Sequence, residues 1–74
     1  MNATLDVTGL ACPLPVLKAK KAIRRVAPGA VLQVLATDPS AVKDFQAFCA
    51  ATGDILVDWS EDAGVFTFHI RRKG

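Results

Sequence analysis

The sequence is poor in the residues that hold metals, build disulfide frameworks or cross membranes. It has two cysteines, Cys12 and Cys49, and a single histidine, His69. Two cysteines make no disulfide scaffold, and neither C-x-x-C nor any other metal-ligand spacing is present. The expectation is therefore a protein with no metal and no cofactor. No apolar run approaches the ~20 residues of a membrane-spanning helix. No basic residue precedes the first apolar stretch, as a secretory leader requires. With free thiols and no export signal, the expected compartment is the reducing cytoplasm. Repeats, linkers and low-complexity segments are absent too. Acidic residues are missing from the whole interval between Asp6 and Asp38.

The 74 residues are expected to form one small domain over 1–74. A chain of this size buries only about 60% of its unfolded surface. The 51% hydrophobic content is nevertheless ample for a core and argues against disorder. The net charge of +2 is unevenly spread. Lys18, Lys20, Lys21, Arg24 and Arg25 fall in the acid-free interval, and Arg71, Arg72 and Lys73 form a basic tail. Asp54, Asp58, Glu61 and Asp62 cluster late in the chain.

Ala3 to Val7 alternates as a half-buried strand, with Leu5 and Val7 on one face. From Pro13 to Ala27, Val16, Ala19, Ile23 and Val26 recur at helical spacing, until Pro28-Gly29 stops the helix. Ala30 to Ala36 is a mostly apolar strand with Gln33 as its polar break. A second helix is expected with Asp38 as N-cap, Pro39 at its first position and Gly53 as its stop. Val42, Phe45 and Cys49 share its inner face. Asp54 to Ser60 and Val65 to Ile70 alternate as a hairpin around residues 61–64, with Ile55, Val57 and Trp59 together on one strand and Phe66, Phe68 and Ile70 on the other. The order βαβαββ, opened by a right-handed parallel crossover, predicts an α/β (α+β) two-layer sandwich. It has a four-stranded mixed sheet and two helices on one face. Gln33, Asp58, Thr67 and His69 are expected on the other face.

The candidate site is Gly9-Leu10-Ala11-Cys12-Pro13-Leu14-Pro15, where the first strand turns into the first helix. Pro13 suits a first helical position, and Pro15 removes a second donor from that turn. With Cys12 as N-cap, Leu14 N–H is the one early donor left for the sulfur. The helix dipole and nearby cations would favour a thiolate and depress its pKa. The corner reads as a device for holding one exposed thiolate, against the plainer alternative of a small buried residue. Cys49, on the apolar face of the second helix, reads as core, with a resolving thiol as the alternative. Lys18, Lys21 and Arg25 lie on one helical face. They read as a docking surface for acidic partners, or else as a solvated face. His69 reads as a surface residue and Trp59 as core.

The Cys12-Pro13-x-Pro15 motif resembles the TusA/SirA-like sulfur-carrier family. So do Pro28-Gly29 before the second strand, Thr37-Asp38-Pro39 before the second helix, Phe48-Cys49, and Gly53. The resemblance runs from Leu5 to about Ile70. It implies that Cys12 carries sulfur as a persulfide, supported by Pro13 and Pro15, in a relay that serves tRNA thiolation, molybdenum-cofactor sulfuration or sulfur oxidation. It also implies protein donors and acceptors: a cysteine desulfurase, a rhodanese or DsrE/TusD-like proteins. Asp38 and Lys43 match charged family positions that contact partners, although Asp38 is equally explained as a helix cap. Leu14 stands where many relatives have glutamate, which removes a negative charge beside the sulfur. A carrier of this kind acts stoichiometrically and needs no second active-site residue. The rival reading is a nucleic-acid-binding or regulatory module using the basic first helix. No exposed aromatic pair interleaves with those cations, so direct nucleic-acid binding is not expected. A two-cysteine redox device is the third reading.

Overall fold

A computed structural model describes residues 3–74. Six elements follow in the expected order: β1 Ala3–Val7, α1 Leu14–Ile23, β2 Val31–Ala36, α2 Ala41–Thr52, β3 Ile55–Asp62 and β4 Val65–Arg71. The sheet order is β1-β2-β4-β3. β1 and β2 are parallel, and β4 runs antiparallel to both β2 and β3. Both helices cover one face of this mixed sheet, α1 over β1 and β2 and α2 over β3 and β4.

The core follows the two periodicities. Alternate β2 residues Leu32, Val34 and Ala36 are buried, as are Phe68 and Ile70 of β4. Pro15, Ala19 and Ile23 from α1 and Ala41, Phe45, Phe48 and Cys49 from α2 close over them. Phe45 and Phe68 are the largest fully buried side chains, and their ring centroids lie 4.7 Å apart. Truncating a buried phenylalanine costs about 3–5 kcal/mol, a large share of a small domain's stability. Gln33, Thr67 and His69 lie half-buried on the uncovered face, where Asp58 pairs with the His69 ring across β3 and β4.

The structure corrects five expectations. Helix α1 ends at Ile23 rather than Ala27, because Arg25 N–H bonds back to the Ala22 carbonyl in a tighter turn. Arg72, expected in a basic tail, is tied into the fold. Its guanidinium donates to the carbonyls of Arg24, the C-cap of α1, and of Val26 in the turn that follows, at 3.2 and 2.7 Å. The backbone of Arg72 pairs with Gly29 and Ala30, and Lys73 N–H donates to Asp54. Helix α2 starts at Ala41 with Ser40 as N-cap, so Asp38 and Pro39 precede it. The Asp38 carboxylate accepts the Ser40 N–H two residues on, an Asx-type turn that delays the helix. The hairpin loop shrinks to Ala63-Gly64, both at positive φ as a tight two-residue turn requires.

The last correction concerns β3. Leu56 pairs with Ile70, yet Asp58 pairs with His69, so Val57 is an extra residue in a β-bulge. The bulge inverts the expected face. Leu56 packs against the core, whereas Ile55 and Val57 are exposed. Trp59, expected in the core, pairs with Phe68 but stays 43% exposed at the sheet edge.

Candidate functional site

β1 and β2 are adjacent and parallel, so the loops that leave them lie side by side and both helices start at the same end of the sheet. Hydrogen bonds join the two loops. Gly9 N–H donates to Thr37 Oγ1 at 2.8 Å, and Cys12 N–H donates to Asp38 Oδ2 at 2.7 Å. Gly9 makes the corner at φ +79°, where an L side chain would be strained. Upstream, Asp6 accepts the Thr8 N–H and hydroxyl, which hold its carboxyl below the usual carboxylate range.

Cys12 is exposed, as expected, but it is not the N-cap. Pro13 takes that position, with no side-chain cap, and the Cys12–Pro13 peptide is cis. Leu14 N–H does not serve the sulfur; it donates to the Ala11 carbonyl at 2.9 Å. Cys12 opens onto a groove of about 310 Å³ between the helices, shared with Pro13 and Val16 on one side and Asp44, Ala47 and Phe48 on the other.

The electrostatics also depart from expectation. The Cys12 sulfur and one carboxylate oxygen each of Asp38 and Asp44 lie within 4.8 Å of one another. Ser40 Oγ donates to Asp38 Oδ2 and lies 3.1 Å from Asp44 Oδ2, which fixes both carboxylates beside the thiol. A hydrogen bond to Asp44, desolvation and the negative charges of Asp44 and Asp38 push the Cys12 thiol up, against the opposing effect of the nearby Ser40 hydroxyl. The predicted depression of its pKa by helix dipole and cations is therefore overturned, and the missing glutamate at Leu14 does not leave the sulfur free of acids. Asp38 itself is held below the usual carboxylate range by hydrogen bonds from Ser40, with Cys12 N–H adding to them. One thiol and two carboxylates make three donors, short of the four that a closed zinc centre uses.

Lys18, Lys21 and Arg25 do share a face. They line a different groove, of about 370 Å³, with Ala3, Thr4 and Leu5 of edge strand β1. Lys43 is exposed on the first turn of α2, and Asp38 alone of the expected docking residues touches the Cys12 segment. Cys49 is buried, and burial, then the Asp54 charge, push its thiol up to about 11. Asp44 and Ser40 went unnoticed in the sequence. Their signal was an acidic first turn on a helix that follows the neighbouring parallel strand.

No helix among the described residues is long and apolar enough to cross a membrane. The family described as Sulfurtransferase TusA matches residues 3–72. A Neisseria meningitidis protein is 59% identical over 99% of this chain and all of that one. The sulfur carrier protein TusA of Allochromatium vinosum is 50% identical over 93% of this chain and 91% of that one. The crystal structure of a SirA-like protein from Desulfitobacterium hafniense superposes with a TM-score of 0.83 at 27% identity, covering 97% of this chain and 99% of that one. With the strand–Cys–Pro–x–Pro corner, the mixed four-stranded sheet and these relatives in agreement, the chain belongs to the TusA family.

Proposed function

We propose that the chain is a single sulfur-carrier domain that holds sulfane sulfur as a persulfide on Cys12 and passes it between protein donors and acceptors in the cytoplasm. The observation that carries this reading is the contrast between the thiols: Cys12 is exposed at a groove mouth, and Cys49 is buried in the core. In loading, Cys12 thiolate attacks the terminal sulfur of a donor persulfide. A bond forms from Cys12 Sγ to that sulfur, the donor's S–S bond breaks, and the donor leaves as a thiolate that takes up a proton from solvent. Unloading is the same exchange with an acceptor cysteine as nucleophile. Both steps are redox-neutral between the partners and need no further protein base. Pro13 and Pro15 shape the turn that presents the sulfur, and the stripe of Lys18, Lys21 and Arg25 docks acidic partners. The carrier turns over only within a relay, so it acts stoichiometrically.

Intact mass spectrometry after incubation with a low-molecular-weight persulfide tests the reading. Loading adds one sulfur, about 32 Da, kept in Cys49→Ala and lost in Cys12→Ser, on single-nucleophile exchange chemistry. Loss of loading in folded Cys49→Ala would overturn it in favour of a two-thiol redox protein.

A further inference from the structure

The carboxylates beside Cys12 pose a problem for a protein that must form a thiolate. From α1 the groove offers the sulfur only Pro13 and Val16, neither charged; from α2 it offers Asp44, Ala47 and Phe48; the β2–α2 loop adds Asp38 and Ser40. The charged groups that face the sulfur, Asp38 and Asp44, are thus both acidic, and they come from the β2–α2 loop and α2. The cations of α1 line other grooves. Asp38 has a separate task, accepting the Cys12 backbone N–H. Asp44 Oδ2 lies 3.1 Å from Ser40 Oγ, and its carboxylate is hydrogen-bonded to the thiol itself, at the first turn of α2 where the helix dipole favours a carboxylate.

We propose that Asp44 is a positioning residue for cargo retention: its carboxylate opposes departure of the Cys12 sulfur as an anion, so the loaded carrier keeps its sulfur in the presence of small thiols. The inference rests on the carrier reading above. When a small thiolate attacks the outer sulfur of Cys12–S–SH, a new S–S bond forms to that sulfur and the Sγ–S bond breaks. The electron pair stays on Cys12 Sγ, which later takes a proton from solvent. Negative charge therefore develops on Sγ beside two carboxylates. A thiol of higher pKa is a slower leaving group, so the acidic surroundings that weaken the empty thiol as an acid also hold the cargo of the loaded one.

The test uses the full chain loaded with sulfur, with release to glutathione followed by intact mass. The pH dependence of iodoacetamide alkylation is measured on the unloaded protein, in a Cys49→Ala background. Asp44→Asn should lower the alkylation midpoint and speed release in the same variant, because a thiol of lower pKa leaves faster. Asp44→Glu keeps the charge and should restore slow release. Far-ultraviolet circular dichroism of each variant at the assay temperature confirms that α2 stays folded, so that release and alkylation are read on the native state. Asp44→Asn that releases sulfur no faster than the parent overturns the inference. Failure of the parent to carry sulfur on Cys12 overturns the carrier reading instead.

Discussion

The two thiols should respond oppositely to substitution, and the buried one offers the sharper measurement. Cys49 is 6% exposed on the inner face of α2, near Asp54. Its thiol stays protonated up to about pH 11 in the folded protein, against an ordinary value of 9.0. A raised folded-state pKa contributes stability that is complete below the unfolded value and is lost as pH climbs to the folded one. The window is therefore about pH 9 to 11. At about 1.4 kcal/mol per pH unit, the upper bound over that window is about 3 kcal/mol. Relaxation and water penetration around a buried thiolate reduce this to about 1–2 kcal/mol. At pH 7, Cys49→Ala loses only the packing of the sulfur, about 1 kcal/mol. The variant should thus begin less stable than its parent and draw level with it, or overtake it, by pH 11. Urea unfolding followed by far-ultraviolet circular dichroism, in a Cys12→Ser background from pH 7 to 11, measures the difference. A gap between variant and parent that stays constant across this range would refute the assignment of a desolvated, protonated thiol.

Reversing Lys18, Lys21 and Arg25 to glutamate should slow sulfur transfer from a protein donor by an order of magnitude or more, within the 10–10³ range of electrostatic steering, and leave iodoacetamide alkylation of Cys12 nearly unchanged. Equal transfer rates would remove the docking role. Gly53→Ala should lower stability by about 1–2 kcal/mol in a thermal melt, because Gly53 closes α2 at φ +85° and a Cβ there would lie 3.3 Å from Lys73 Cδ.

Local signals carried most of the architecture. Alternation in β1, β2 and β4, the Pro28-Gly29 stop and the Gly53 cap each act through neighbours in the chain, so they are legible one segment at a time. The inversion of β3 was not legible. One extra residue at Val57 shifts the register, and its cause is pairing with β4 rather than anything in the run Ile55-Leu56-Val57. The site divides in the same way. Cys12 announces itself through its flanking prolines. Its electrostatic surroundings come from Asp44, 32 positions later, and from Asp38, brought close by parallel pairing of β1 and β2. A reading of the first helix alone assigned the sulfur to cations and dipole, and three-dimensional packing assigned it to carboxylates.

The Val57 bulge has a consequence beyond register. β3 is an outer strand of eight residues, long enough to template another chain's strand. Its apolar exposure at Ile55, Val57 and Trp59 would strengthen such pairing if the strand were flat. The extra residue kinks the edge near its start, and Asp58, Glu61 and Asp62 carry negative charge along the remainder. An incoming strand would meet broken hydrogen-bond spacing and a row of acids. The edge thus guards against strand addition, and an apolar surface can stay open to solvent beside it without seeding a fibre.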